Sequence, residues 1–154
     1  MKNILANVKA LSLELPACPP PLAAYIPATR TENMIYVSGQ LPIQKGKIIE
    51  GRVPLTLEET KAKEAAKLCF LNALAAALSV LNPEKETLQL LKMEGFVQTT
   101  QEFHEEASVL NGASELAVQI LGENGKHART AIGVISLPKN AAVEISCIFK
   151  AIQK

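Results

Sequence analysis

Apolar and polar positions alternate most cleanly near the end of the chain. Val143, Ile145, Cys147 and Phe149 fall on one side of an extended backbone and Glu144, Ser146 and Lys150 on the other, which predicts a strand with one covered face. Just upstream, residues 129–137 divide into Arg129/Ala131/Gly133/Ile135/Leu137 and Thr130/Ile132/Val134/Ser136. Both sets are mostly apolar, so this strand is expected to be covered on both faces. Pro138-Lys139-Asn140 breaks the chain between the two strands.

From the start of the chain, Ile4, Val8 and Leu11 recur at helical spacing and predict a short amphipathic helix over 3–12. Pro16, Pro19, Pro20 and Pro21 impose an extended lead-in to residue 25. A first strand is expected to begin at Tyr25-Ile26 and a second to cover 33–39, with Met34, Tyr36 and Ser38 opposite Ile35 and Val37 and with Gly39 at its end. A hairpin should turn at Lys45-Gly46. Thr56 followed by Glu59 has capping-box spacing and opens a long helix over 57–81. Its small residues Ala62, Ala65, Ala66, Cys69, Ala73, Ala76 and Val80 form a stripe suited to lying close on a sheet. Phe70, Leu71, Leu74 and Leu78 make the other faces apolar, so the helix is expected to need cover beyond its own sheet, from loops or another subunit.

Residues 88–100 read as another strand, with Leu90, Lys92 and Glu94 alternating against Leu91, Met93 and Gly95. Asn111 is the expected N-cap of a helix over 112–121, and Gly122 its stop. Runs of strands with helices grouped between them argue for an α+β sandwich with the helices on one face. A chain of 154 residues is expected to be a single domain, 1–154, in which 1–21 supply the helix and proline-rich lead-in.

Charge and cysteine content narrow the function. A net charge of +1 with scattered Lys and Arg leaves no footprint for nucleic acid. Cys18, Cys69 and Cys147 are odd in number and widely spaced, which argues for free thiols in a reducing compartment over a disulfide framework or zinc site. Polar residues interrupt residues 1–15, leaving no signal-peptide core, and the apolar run 68–81 is too short to span a bilayer. The expectation is a cytoplasmic protein with no membrane partner. His104-Glu105-Glu106 lacks a second histidine at i+4 or a cysteine pair and reads as a solvated loop, so no metal is expected. No phosphate loop, dinucleotide fingerprint or nucleophile elbow is present.

Arg129 is out of place, a permanent charge entering an apolar strand. Partial burial of a guanidinium requires an anion, and its planar fork suits a carboxylate. A structural partner such as Glu144 would serve, and so would the carboxylate of a ligand; the stretch by itself favours the structural partner. His127, two residues earlier, is either an ordinary loop histidine or a base near a pocket.

Three blocks then carry a resemblance: Asn33-Met34-Ile35-Tyr36-Val37-Ser38-Gly39-Gln40-Leu41-Pro42, Ala128-Arg129-Thr130-Ala131-Ile132-Gly133-Val134, and Leu137-Pro138-Lys139 with Val143-Glu144-Ile145. Over residues 22–152 the chain resembles the Rid/YjgF family of reactive-intermediate deaminases, also labelled endoribonuclease L-PSP. The N-terminal extension and Asn111-Gly112-Ala113-Ser114 mark it as similar to a longer-chain sub-branch. The resemblance implies a chorismate-mutase-like fold: a mixed sheet with two main helices packed on one face, assembled as a homotrimer with a barrel-like centre and clefts between subunits.

By the same resemblance, Arg129 falls on the arginine that binds a substrate carboxylate and Glu144 on the acid that positions water. Tyr25, Ser38, Gly39 and Asn111 fall on binding positions of the cleft. Ala131 stands where active members commonly carry cysteine, whose contribution is chiefly its backbone carbonyl, and Lys126-His127 replaces an aromatic-proline pair. The implied function is cofactor-free hydrolysis of short 2-imino or 2-enamino acids to 2-oxo acids and ammonia. Binding of a small carboxylate without turnover is the second reading. Ribonuclease action or translation inhibition is the third, and the absence of a basic, aromatic-lined stripe counts against it.

Overall fold

A computed structural model describes residues 2–18 and 24–154. The lead-in prolines Pro19, Pro20 and Pro21 lie outside the described residues. The elements are α1 (Lys2–Ala10), β1 (Ala28–Thr31), β2 (Met34–Gln40), β3 (Ile43–Gln44), β4 (Lys47–Ile48), α2 (Glu59–Ser79), β5 (Glu86–Gln98), α3 (Glu106–Leu121), β6 (Ala128–Val134) and β7 (Val143–Gln153).

Five strands form a mixed sheet in the order β1-β2-β7-β5-β6. All neighbours are antiparallel except β5 and β6, which run parallel because α3 carries the chain back between them. The alternation expected of β7 is present: Val143, Ile145, Cys147 and Phe149 are buried, and Glu144, Ser146 and Lys150 are half-buried on the other face. α2 and α3 both pack on the buried face, giving an α+β architecture. Where β3 meets β4, Lys45 and Gly46 take φ of 51° and 77°, the paired left-handed residues of a tight hairpin at the expected position.

α2 is covered from within the chain, and no second copy is required to bury it. Its stripe from Ala62 to Ala76 lies on the sheet, α3 covers a second side, and β3 a third. Asn72, which interrupts the apolar run, donates its Nδ2 hydrogens to the carbonyl oxygens of Leu41 (2.9 Å) and Ile43 (3.0 Å) and so fastens the hairpin to the helix. Phe70, Leu71 and Leu74 each contribute about 1.5–3 kcal/mol by leaving water. Gly112 lets α3 approach α2, since a Cβ there would lie 2.6 Å from the backbone oxygen of Lys63.

Several local expectations yield to tertiary contacts. Tyr25-Ile26 is loop, and β1 starts at Ala28. The capping box does not form: Thr56 Oγ1 instead accepts from the Arg52 backbone N–H at 2.8 Å, and α2 begins three residues later. Glu59 spends its carboxylate on Ser108 (2.7 Å) and Lys63 (2.9 Å), tying the start of α2 to the start of α3. α3 begins at Glu106, so Asn111 is an exposed residue inside the helix and not its N-cap, while Gly122, at φ 63°, ends it as expected. In β5 the register slips between Leu90 and Lys92; the bulge at Leu91 puts Leu88 and Leu90 on the same buried side as Met93 and Val97. β6 is an edge strand that stops at Val134 and is not covered on both faces: Ile132 is 45% exposed.

Candidate functional site

Arg129 is the second residue of β6 and pairs in register with buried Met93, which sends its side chain to the helix side of the sheet. There Nη1 donates to Asn111 Oδ1 at 2.9 Å and Ser114 Oγ at 3.1 Å, and Nη2 donates to the Ala107 carbonyl oxygen at 3.3 Å. Ala107, Asn111 and Ser114 share one face of α3 by their i, i+4 and i+3 spacing. His127 continues the chain of bonds. Its Nδ1 lies 2.6 Å from the Gly125 carbonyl oxygen, which only accepts, so Nδ1 carries the hydrogen. In the neutral ring Nε2 is then the acceptor for the Ser114 hydroxyl at 3.1 Å.

Every partner of Arg129 is neutral. Among the described residues it makes no ion pair, and Glu144 is not its counter-ion. The two Nη1 hydrogens and one on Nη2 are used; among the described residues Nε–H and the second Nη2–H have no partner, two donors left for a carboxylate. Ala131 is the next helix-facing residue of β6, opposite Gly95, and packs half-buried against the core.

A second cluster surrounds Glu144. Its carboxyl lies over Gly39, where a Cβ would push the Glu144 carboxyl out of its present position. Gly39 sits where the register of β2 on β7 slips between Val37 and Gln40. Ser38 pins the preceding loop: its hydroxyl donates to Ile26 O at 2.7 Å and its N–H to Pro27 O at 3.0 Å. Tyr25, 56% exposed on that loop, and Gly39 both line a cavity of about 630 Å³. Burial pushes the Glu144 carboxyl above the usual carboxylate range.

One chain does not bring the two clusters together. Along β5, Arg129 lies level with Met93 and Glu144 with Phe96. Three residues separate those levels, an odd number, so the side chains leave opposite faces of the sheet. With β5 between their strands, the two Cα atoms are about 14 Å apart. The predicted residues thus form two half-sites: Arg129, Asn111, His127 and Ala131 on the helix side, and Tyr25, Ser38, Gly39 and Glu144 around the β2 bulge. Ser114, which links Arg129 to His127, is absent from the sequence-based set. Its i+3 spacing from Asn111 is the signal, visible only once α3 is known to begin upstream of both. His104 is exposed in the loop before α3 and joins neither group. Among the described residues, no helix is long and apolar enough to cross a membrane.

The sequence model of the family described as Endoribonuclease L-PSP matches residues 16–151. A Trypanosoma cruzi protein, TCP17, is 33% identical over 148 residues, which covers 95% of this chain and 92% of that one. A crystal structure of a protein of unknown function from Agrobacterium tumefaciens is 41% identical with a TM-score of 0.86, covering 98% of this chain and 94% of that one. The 3-aminoacrylate deaminase RutC of Acinetobacter baylyi shares 59% identity over 27 residues, 18% of this chain and 21% of its own.

Proposed function

This chain belongs to the endoribonuclease L-PSP family, also called Rid/YjgF, and from that membership we propose that it hydrolyses short 2-imino or 2-enamino acids to 2-oxo acids and ammonia. The observation that carries the reading is the state of Arg129: half-buried, held by three neutral acceptors, with Nε–H and one Nη2–H left over for a carboxylate. The matching segment of 3-aminoacrylate deaminase supports the same class, since that enzyme's named substrate is a short enamino acid.

In the proposed reaction Arg129 fixes the substrate carboxylate and so places C2 beside a water. Glu144 accepts a proton as the water oxygen bonds to C2, and returns it to nitrogen. The resulting carbinolamine loses ammonia as the C–N bond breaks and the hydroxyl becomes the carbonyl. Burial brings the Glu144 pKa closer to neutrality, which suits a group that takes and returns a proton. Imines are electrophilic enough that the scheme uses no metal or cofactor.

Because the half-sites face opposite ways, the reading places each complete site between copies, with Arg129 from one and Glu144 from the next, as in a closed homotrimer. The open sheet face supports such burial, with Tyr36 43% and Ile132 45% exposed beside half-buried Phe96 and Ile148. The test is hydrolysis of freshly generated 2-iminobutanoate by wild type, Arg129→Ala and Glu144→Gln, followed by co-expression of the two variants. Each variant alone should be inactive. Randomly mixed trimers should recover about a quarter of wild-type activity, because about one seam in four joins two intact halves. Wild-type protein no faster than buffer would overturn the catalytic reading and leave binding of small carboxylates in its place.

A further inference from the structure

The cavity beside Gly39 contains acceptors that the fold leaves unused. Asn72 lines it and is only 6% exposed. Both carbonyl oxygens that Asn72 approaches bond to Nδ2, so the amide is oriented unambiguously and Oδ1 turns away from them. Among the described residues Oδ1 has no partner, and no fully buried side-chain oxygen lacks one; Oδ1 therefore opens onto the cavity that its residue lines. Gln40, 8% exposed, lines the same cavity: Nε2 donates one hydrogen to Ser38 O at 3.0 Å, and among the described residues Oε1 has no partner. Between them lie apolar Leu41 and Ile43.

We propose that this cavity receives the substrate's side chain and selects 2-imino acids whose side chains end in a neutral hydrogen-bond donor, a carboxamide above all. Two carbonyl oxygens match the two hydrogens of one –NH2 group, and neither has a hydrogen to donate to a carboxylate. The rim charges disfavour an ammonium group: Glu14 is already paired with Lys45 at 2.8 Å, which leaves the exposed cation Lys139. Size points the same way. A cavity of about 630 Å³ lies in the range of ligand pockets, and a three- or four-carbon imino acid fills a small part of it. The substrate-class half of this proposal rests on the deaminase reading, since Tyr25 and Gly39 belong to both the cavity and the Glu144 half-site.

A probe without a carboxylate separates the two ideas. Pentanamide should bind wild-type protein at least about tenfold more tightly than N,N-dimethylpentanamide, which keeps the carbonyl but lacks both donors. Binding should shift the side-chain NH2 resonances of Asn72 and Gln40, and should be lost in Ala17→Phe, which fills the cavity from an exposed wall residue. Equal binding of the two amides, no binding of either, or shifts confined elsewhere would overturn the cavity assignment whether or not the protein is a deaminase. For the substrate class, imines generated in place from glutamine and methionine are compared, similar in length but with and without the donor. A kcat/KM at least about tenfold higher for the glutamine-derived imine is expected, and equal values would remove the specificity claim.

Discussion

Asn111→Asp tests the anchoring role of Arg129 while leaving Arg129 in place. The substitution puts a carboxylate oxygen where Asn111 Oδ1 now accepts from Nη1 at 2.9 Å. Unit charges 4 Å apart attract by about 1 kcal/mol in water and by about 4 kcal/mol at an effective dielectric of 20. Asn111 is exposed and Arg129 half-buried, so the attraction falls near the lower value, and ordering the pair leaves about 0–1 kcal/mol of added stability. A ligand carboxylate forked on the free edge of the guanidinium would lie about 5–6 Å from the new charge. At a dielectric of about 40 the repulsion is about 1.5 kcal/mol, roughly tenfold in Kd. The expected result is an unchanged or raised Tm with 2-oxobutanoate bound about tenfold more weakly by calorimetry, the loss shrinking in 1 M salt. A stable variant that binds 2-oxobutanoate as tightly as wild type would refute the placement of the ligand carboxylate on Arg129.

Ser114→Ala removes both an acceptor of Arg129 and the donor to His127 Nε2, so KM should rise about two- to tenfold, with Ser114→Thr restoring it; equal behaviour of the two variants would show that the hydroxyl does not orient Arg129. Glu144 holds its proton more tightly in the fold than in the unfolded chain, so the stability tied to its protonated form is lost as pH rises above the ordinary carboxylate range. Glu144→Gln should therefore raise the denaturation midpoint at pH 7, with the gain shrinking toward pH 4, and a gain that is independent of pH would contradict that account. Glu86 has the opposite sign: the Arg30 fork at 2.6 and 2.8 Å, helped by the Asn82 N–H, holds its carboxyl down to about 2. Its stabilisation is full above the unfolded value near 4.5 and lost as pH falls toward 2, so Glu86→Gln should lower Tm at neutral pH and flatten the Tm–pH curve across that window.

What the residues disclose about the fold depends on how locally each feature is decided. β7 is legible because its period of two coincides with a one-sided core, and the β3–β4 turn because Lys45-Gly46 needs left-handed backbone that few residues take cheaply. The capping box fails for the opposite reason. Thr56 and Glu59 have the right spacing, but Arg52 offers Thr56 a nearer donor, and Ser108 with Lys63 outbids the helix terminus for Glu59. The phase error in β5 comes from one extra residue at Leu91, which a periodicity count absorbs without a trace. Cover for α2 comes from β3, and the contact is made by Asn72, whose polarity in an apolar run looks like a fault until Leu41 and Ile43 are placed beside it.

The site shows where such reading stops. Arg129 announces itself by its charge, and Glu144 by its position on a clean strand, but whether they meet depends on a strand from elsewhere in the chain. β5 inserts between β6 and β7 and sets both registers, Met93 beside Arg129 and Phe96 beside Glu144. The odd interval between those levels decides the matter without reference to any rotamer: a strand alternates its faces, so residues aligned with positions 93 and 96 point to opposite sides. Two routes then remain to a working molecule. Either a second copy presents its Glu144 half-site to the Arg129 of the first, or one half-site acts alone, as simple carboxylate binding would require. The co-expressed Arg129→Ala and Glu144→Gln variants separate these routes, because activity returns on mixing only when each variant contributes the half that the other lacks. If wild type is active while neither variant nor the mixed oligomer is, the arrangement between copies fails, whereas wild-type protein no faster than buffer leaves Arg129 as the anchor of a site that binds without turning over.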